Sequence, residues 1–360
     1  MMTALGLMSG TSLDGIDVAL LRTDGEKIVE RGLAETFVYD AKQQELLRKA
    51  LVDAVGLSDR NARPGGLAEV EAQLTHWHVA AVQSFLAQNK LVATDIDVVG
   101  FHGQTILHRP EQKLTVQLGD GSALAKSLGI KVVYDMRAAD VAAGGQGAPL
   151  VPAYHCALAK AVPAVFVNIG GVANVTFVGE GEDLLAFDTG PGNALLNDWM
   201  TKHQGVTHDE GGRIALKGKV SAAHLKTAMN LDFFTKKPPK SLDRNSFAHL
   251  DFSDLGFEDG AATLAAFTVE SLVRAQDWFP AKPVQWVICG GGRHNGAIMH
   301  GLRSKLSGVV SAEEFGLNGD SVEAEAWAYL AVRSRKGLAL TYPGTTGVAQ
   351  PMLGGVWAEA

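Results

Sequence analysis

The chain reads as an α/β protein built from two similar lobes, and three observations carry that reading. Two stretches far apart, residues 5–21 and 165–178, share one pattern: an apolar strand, a glycine-centred turn and a second apolar strand. The same order of further elements follows each hairpin. A length of 360 residues is enough for two lobes of ordinary domain size.

The first hairpin turns through Ser9-Gly10-Thr11-Ser12-Leu13-Asp14-Gly15, and a third strand is predicted at residues 33–39. A helical region follows and breaks at Pro64-Gly65-Gly66. It resumes with Leu67, Val70, Leu74, Trp77, Ala81 and Phe85 at helical spacing. A short strand at 98–101 ends in His102-Gly103-Gln104-Thr105. A small helix at 122–128 leads to a strand at 130–134, and another helix begins near Pro152.

The second copy repeats this course. Residues 184–187 form its third strand, and Gly192 opens its helical part. Leu264, Thr268, Leu272 and Ala275 mark one face of a long helix before the strand 285–289, which ends in Gly290-Gly291-Gly292. A helix from about Asn295, a strand near Val309 and a helix over 322–335 complete it. Both halves read β-β-β-α-β-α-β-α. Hairpin strands pair antiparallel and the helix-linked strands add in parallel. The expected lobes are residues 1–135 with 340–360, and residues 136–339, with a nucleotide cleft between them.

Bulk properties exclude several classes. Apolar residues make up 46% and charged residues 20%, a globular balance. A net charge of -7 argues against a broad basic face for nucleic acid. Cys156 and Cys289 are too few and too far apart for a disulfide framework or a metal cluster, and a reducing compartment fits. No basic segment and apolar run open the chain, and no stretch suits a membrane span. The expected location is the cytoplasm.

Several segments carry chemistry. Glycines of the first turn admit an anion close to backbone amides, and Thr11 and Ser12 add hydroxyls. Asp14 or Asp17 suits a Mg²⁺-bound water, while a plain tight hairpin explains the same residues. Asn168-Ile169-Gly170-Gly171 is the matching turn, with the same two readings. In Phe187-Asp188-Thr189-Gly190-Pro191-Gly192-Asn193, a carboxylate ends an apolar strand and Pro191 and Gly192 open a helix. Asp188 is thereby placed as a general base, or as an N-cap. Gly290, Gly291 and Gly292 leave a bare surface for a flat adenosine ring, with Asn295 opening the next helix. Arg137, in the Gly-rich connection 135–150, suits a carboxylate, a phosphate or a surface ion pair. His102 and Gln104 suit a polyhydroxylated ligand, or a satisfied interior. Glu323 and Glu325 begin the last helix, where acids favour the dipole. Residues 236–240 read as a solvated loop, with a lid as the alternative.

Paired glycine turns, a carboxylate after the third strand of the second lobe and a late triple glycine resemble the sugar kinase, heat-shock ATPase and actin superfamily. Its fold implies two ribonuclease-H-like lobes. Many members carry an acidic residue just before the first turn, where this chain has Leu7-Met8. A closer resemblance, to the anhydro-N-acetylmuramic acid kinases, rests on six blocks in order. They are residues 6–17, 101–105, 140–152, 168–171, 187–193 and 289–292.

That resemblance implies ATP and Mg²⁺ as cofactors and a bacterial enzyme of cell-wall recycling. Water opens the 1,6-anhydro bond of the sugar and the γ-phosphate passes to O6. It makes Asp188 the base acting on water and Glu323 a catalytic neighbour of the sugar. Gly10, Thr11, Ser12, Leu13, Asp14, Gly15, Ile16 and Asp17 become an ATP-binding stretch, joined by Asn168, Gly170, Gly171, Gly290, Gly291, Gly292 and Asn295. His102, Gln104, Arg137, Gly190 and Asn193 fall to the sugar. A homodimer is expected, with neither nucleic acid nor membrane as partner.

Overall fold

The structure, a computed structural model, describes residues 1–10, 12–181 and 183–360. Its first sheet opens with β1 (Met2–Ser9), β2 (Gly15–Thr23) and β3 (Val29–Val38), an antiparallel meander. β4 (Val98–Arg109) lies parallel to β1 on its other side, β5 (Leu114–Leu118) folds back on β4, and β6 (Val132–Tyr134) runs parallel to β4. The second sheet repeats the plan. β7 (Ala164–Ile169), β8 (Val172–Val178) and β9 (Leu184–Pro191) form the meander, and β10 (Gln285–Cys289) and β11 (Val309–Ser311) add in parallel. The last strand, β12 (Val356–Ala358), returns to pair with β6. The strand orders are therefore β12-β6-β4-β1-β2-β3 and β11-β10-β7-β8-β9. Each is a meander extended in parallel from its first strand, the ribonuclease-H-like arrangement that the sequence predicts.

Two compact units result: Met1–Leu158 with Ser321–Ala360, and Ala159–Asp320. The sequence reading divides the chain at 135/136 and 339/340 and gives the helix over 322–335 to the second repeat. In the structure that helix, Val322–Arg335, packs on β1, β2 and β4. Two glycines explain its seat. A Cβ on Gly6 would stand 1.8 Å from the Ala324 carbonyl oxygen, and one on Gly100 would stand 2.1 Å from that of Trp327. Bare backbone lets the helix lie directly on adjacent strands, which brings its first turn and Glu323 to the strand ends. Gly6→Ala should overpack this contact and cost about 1–3 kcal/mol. The check is a lower urea midpoint at unchanged slope.

Other differences are local. β4 runs twelve residues rather than ending at Phe101, so His102 and Gln104 sit within it. β5 escapes prediction because only the short turn Pro110–Gln112 separates it from β4, and its five residues lack a separate glycine signal. β9 continues through Asp188 to Pro191, and the helix begins at Ala194. Asp188 is thus a strand residue paired opposite Asn174, not an N-cap. Residues 230–256 hold little regular structure, yet Phe234, Phe247 and Phe252 anchor them in the second core, all at most 7% exposed. Among the described residues, no helix is long and apolar enough to cross a membrane.

Candidate active site

In the first unit, the turn after β1 is tied to β4. Leu13 takes a left-handed backbone (φ 58°) and its N–H donates to Gly10 O, closing the turn. Ser12 Oγ donates to Asp14 Oδ1 at 2.8 Å, and Thr36 Oγ1 donates to Asp17 Oδ1. Ile16 and Leu13 bury their side chains in the core, and a Cβ on Gly15 would meet the Phe37 carbonyl. These three can offer a ligand only backbone, whereas Ser12 and Asp14 are exposed. Thr11 lies outside the described residues.

Gln104 is fully buried, and both ends of its amide are engaged by the turn. Oε1 accepts from Ser9 Oγ at 2.6 Å and Nε2 donates to Gly10 O at 3.1 Å. It is a brace for the glycine turn. His102, also buried, meets Ser9 O through Nδ1 at 3.1 Å. A carbonyl only accepts, so Nδ1 carries the proton and Nε2 presents its lone pair. Arg137 donates to that lone pair from Nε at 3.4 Å and Nη2 at 3.2 Å. Burial and the Arg137 charge hold the imidazole pKa well below its ordinary value, so the ring stays neutral.

Arg137 also donates from Nη1 to Gly147 O at 2.8 Å and lies over the Trp327 ring, 5.2 Å from its centroid. Its pKa falls to about 10 through burial, and it remains a cation. Buried Asp140 shapes the loop behind it, accepting from Gly147 N and Thr346 Oγ1, each at 2.6 Å. The two helix glutamates divide. Glu325 is buried and bonded to Tyr154 and Ser321. Glu323 is exposed to water but closely flanked by protein. That flanking raises its pKa most, the Arg137 charge lowers it, and Asp17 and Asp14 raise it again. Glu323 thus lies within electrostatic reach of one cation, Arg137, and of two other carboxylates, Asp14 and Asp17, all scattered along the sequence.

In the second unit, Asp188 is half-buried on β9. Its backbone N–H donates to Lys240 O at 3.0 Å, and its Oδ2 accepts from Leu242 N at 2.7 Å. Burial pushes its carboxyl up to about 6, against the pull of the Leu242 bond. A poised base near neutral pH needs this value. Lys240 is not a solvated residue. Its ammonium donates to Phe233 O at 3.0 Å and lies among the Phe233, Trp278 and Phe187 rings.

The second glycine turn meets the end of β9. Asn193 N donates to Gly170 O at 2.7 Å, Gly192 N to Gly171 O at 2.9 Å, and Asn193 Nδ2 to Ile169 O at 3.1 Å. A Cβ on Gly190 would strike Ser271, so that glycine lets β9 lie on the helix Phe257–Arg274. Gly290 (φ 72°) and Gly292 fit against Asn168 and Ile169, where a Cβ would come within 2.3 Å of each. Only Gly291 is open, its nearest neighbour being Asn193 Nδ2 at 3.8 Å. It lines a cavity of about 420 Å³ with Asn193, Asn197, Asp209, His294 and Asn295. Asn295 Oδ1 caps the helix Gly296–Lys305 through Ala297 and Ile298 N–H.

Sequence reasoning missed Asp140, Leu242 and the cavity wall at 207–211. The run His208-Asp209-Glu210-Gly211-Gly212 is a polar, glycine-bearing signal that marks the last of these. Leu242 acts through its backbone and carries no signal.

Among the described residues, no three His, Cys, Asp or Glu groups could hold a metal directly. Asp14 and Asp17 offer hard carboxylate oxygens suited to Mg²⁺ through its water shell.

Two ribonuclease-H-like units in one chain, the first with Arg137 among carboxylates and the second with the raised Asp188 carboxyl and a cavity lined by Gly291, fit the two-lobed α/β class that the sequence predicts. The family model "Anhydro-N-acetylmuramic acid kinase" matches residues 2–359. The chain belongs to the anhydro-N-acetylmuramic acid kinase family. Relatives of that name include one from Agrobacterium fabrum, 50% identical and covering 99% of both chains. Another, from Rhodopseudomonas palustris, is 52% identical over 100% of both, and a third, from Rhizobium etli, is 52% identical over 99% of this chain and 98% of its own.

Proposed function

We propose that this chain uses ATP to convert 1,6-anhydro-N-acetylmuramic acid and water into N-acetylmuramic acid 6-phosphate and ADP, in murein recycling. The observation that carries the reading is the raised Asp188 carboxyl, one oxygen of which is fixed by the Leu242 N–H. Family membership supplies the substrate. Asp188 takes a proton from water, whose oxygen bonds to the anomeric carbon as the C1–O6 bond breaks. O6 then takes the γ-phosphoryl group.

Arg137 holds the sugar with His102, and Glu323 stands beside the reacting sugar. The Gly291 cavity takes the adenosine, with Asn168, Gly170, Gly171, Asn193 and Asn295 shaping its surroundings. Ser12 and the backbone of residues 10–17 take phosphates. Asp14 or Asp17 would hold a Mg²⁺ ion through its waters, and that ion would supply charge neutralisation for the phosphates. Gln104 and Gly190 support these groups from behind. We place the enzyme in the cytoplasm, where ATP is available and the thiols of Cys156 and Cys289 suit a reducing medium, and as a homodimer.

The test is ADP release from purified protein with ATP and Mg²⁺. Release should require the anhydro-sugar, and phosphate should appear on O6. Release that ignores the sugar, or none with it, overturns the reading. Gly291→Val should leave the fold intact, because the Cβ direction is open, and weaken ATP about tenfold to a hundredfold by filling the cavity. Unchanged nucleotide affinity by calorimetry would move the adenosine elsewhere.

A further inference from the structure

Asp188 owes its setting to a segment without regular structure. Residues 240–242 cross β9 and close two hydrogen bonds on one residue: Asp188 N–H to Lys240 O, and Leu242 N–H to Asp188 Oδ2. Neither bond involves a side chain of the segment, so its backbone position alone decides both. Leu242 leans on the second core, and Phe234 and Phe247 secure the chain further away on each side. At the crossing itself the anchor is Lys240. Its Nζ lies 4.4 Å from the Phe233 centroid, 5.5 Å from Trp278 and 5.8 Å from Phe187, and it donates to Phe233 O. Phe187 is the neighbour of Asp188 on the same strand. Three ring faces and one carbonyl suit a cation.

We propose that Lys240 is a positioning residue for the reaction, a cation caged by Phe233, Trp278 and Phe187 that holds the 240–242 crossing on Asp188. The proposal rests on Asp188 being the base. It also explains a half-buried lysine that faces no carboxylate in its cage. Burial, with Arg274 and Lys236 nearby, brings its pKa down to about 8. The cage therefore loosens as Lys240 is deprotonated in mildly alkaline solution.

Lys240→Met keeps the length and removes the charge. It should lower kcat by roughly tenfold to a hundredfold, the scale of a small displacement of a reacting group, with KM for ATP within about twofold of wild type. The acid limb of the kcat profile, expected near pH 6, should move to higher pH, because the Leu242 bond that lowers the Asp188 pKa is weakened. Mere loss of folded protein scales the rate and leaves the limb in place. Lys240→Arg should restore both rate and limb. Trp278→Leu removes one wall from a different element and should shift the limb in the same direction, which keeps the test decisive if Lys240→Met folds poorly.

Asp188→Asn is run alongside. If it stays active, the base assignment fails. If it is inactive while Lys240→Met and Trp278→Leu keep the wild-type limb, the base stands and the caged-lysine proposal falls.

Discussion

Asp188→Asn should lower kcat about a thousandfold while the protein stays folded, since a positioned general base contributes roughly 10²–10⁴. An amide retains an oxygen for the Leu242 N–H and cannot accept the proton of water, so geometry is kept and chemistry lost. Binding of ATP should change little. In the wild type, kcat should fall below about pH 6, where the carboxyl takes up a proton.

Stability should move the other way. The Asp188 pKa is raised in the folded state from the ordinary 3.8 to about 6. Between these values the folded chain keeps a proton that the unfolded chain has released. Stability therefore declines as pH rises through that window and stays lower above it. The substitution removes this penalty and should stabilise the protein by about 2–3 kcal/mol at neutral pH. Urea unfolding at pH 7 and at pH 4 measures it: the gain should be present at the first and nearly absent at the second. An active or a destabilised variant would count against this account of the carboxyl.

Arg137→Met should raise KM for the sugar about a hundredfold, the effect of removing roughly 3 kcal/mol of charge-assisted contact. Three groups lose their partner together: His102 Nε2, Gly147 O and, at longer range, Glu323. Without the cation, Glu323 should hold its proton to higher pH and His102 should protonate more readily, since Arg137 lowers both. Arg137→Lys keeps the charge and loses the planar fork, so it should recover little. Steady-state kinetics against both substrates decide this. A sugar KM unchanged in Arg137→Met would take Arg137 out of the sugar contacts.

These residues differ in how far the sequence announces them. Asp188 stands out as a carboxylate in an apolar strand beside glycines, and Arg137 as a charge in a glycine-rich connection. Their roles needed the fold. The sequence places Asp188 at a strand end, as a general base or, alternatively, as a helix N-cap. β9 instead runs on to Pro191, and the Asp188 carboxylate is held by a backbone N–H that arrives from residue 242. Gln104 reads as a ligand for hydroxyls, but its burial and two bonds to the first turn make it a brace. Among three consecutive glycines, only the direction of each absent Cβ separates the open Gly291 from its packed neighbours.

By itself the sequence determined the duplicated hairpins, most of the other strands though not β5 or β12, the parallel additions and the family, because alternation of apolar residues, glycine turns and ordered motifs are local properties of the chain. Tertiary structure alone decided that the helix Val322–Arg335 belongs with the first sheet, that Asp140 backs Arg137 through Gly147, and that Lys240 is caged rather than solvated. Each of these depends on which surfaces meet between residues far apart in sequence. Backbone donors and absent side chains decide such meetings, and neither leaves a periodic signal.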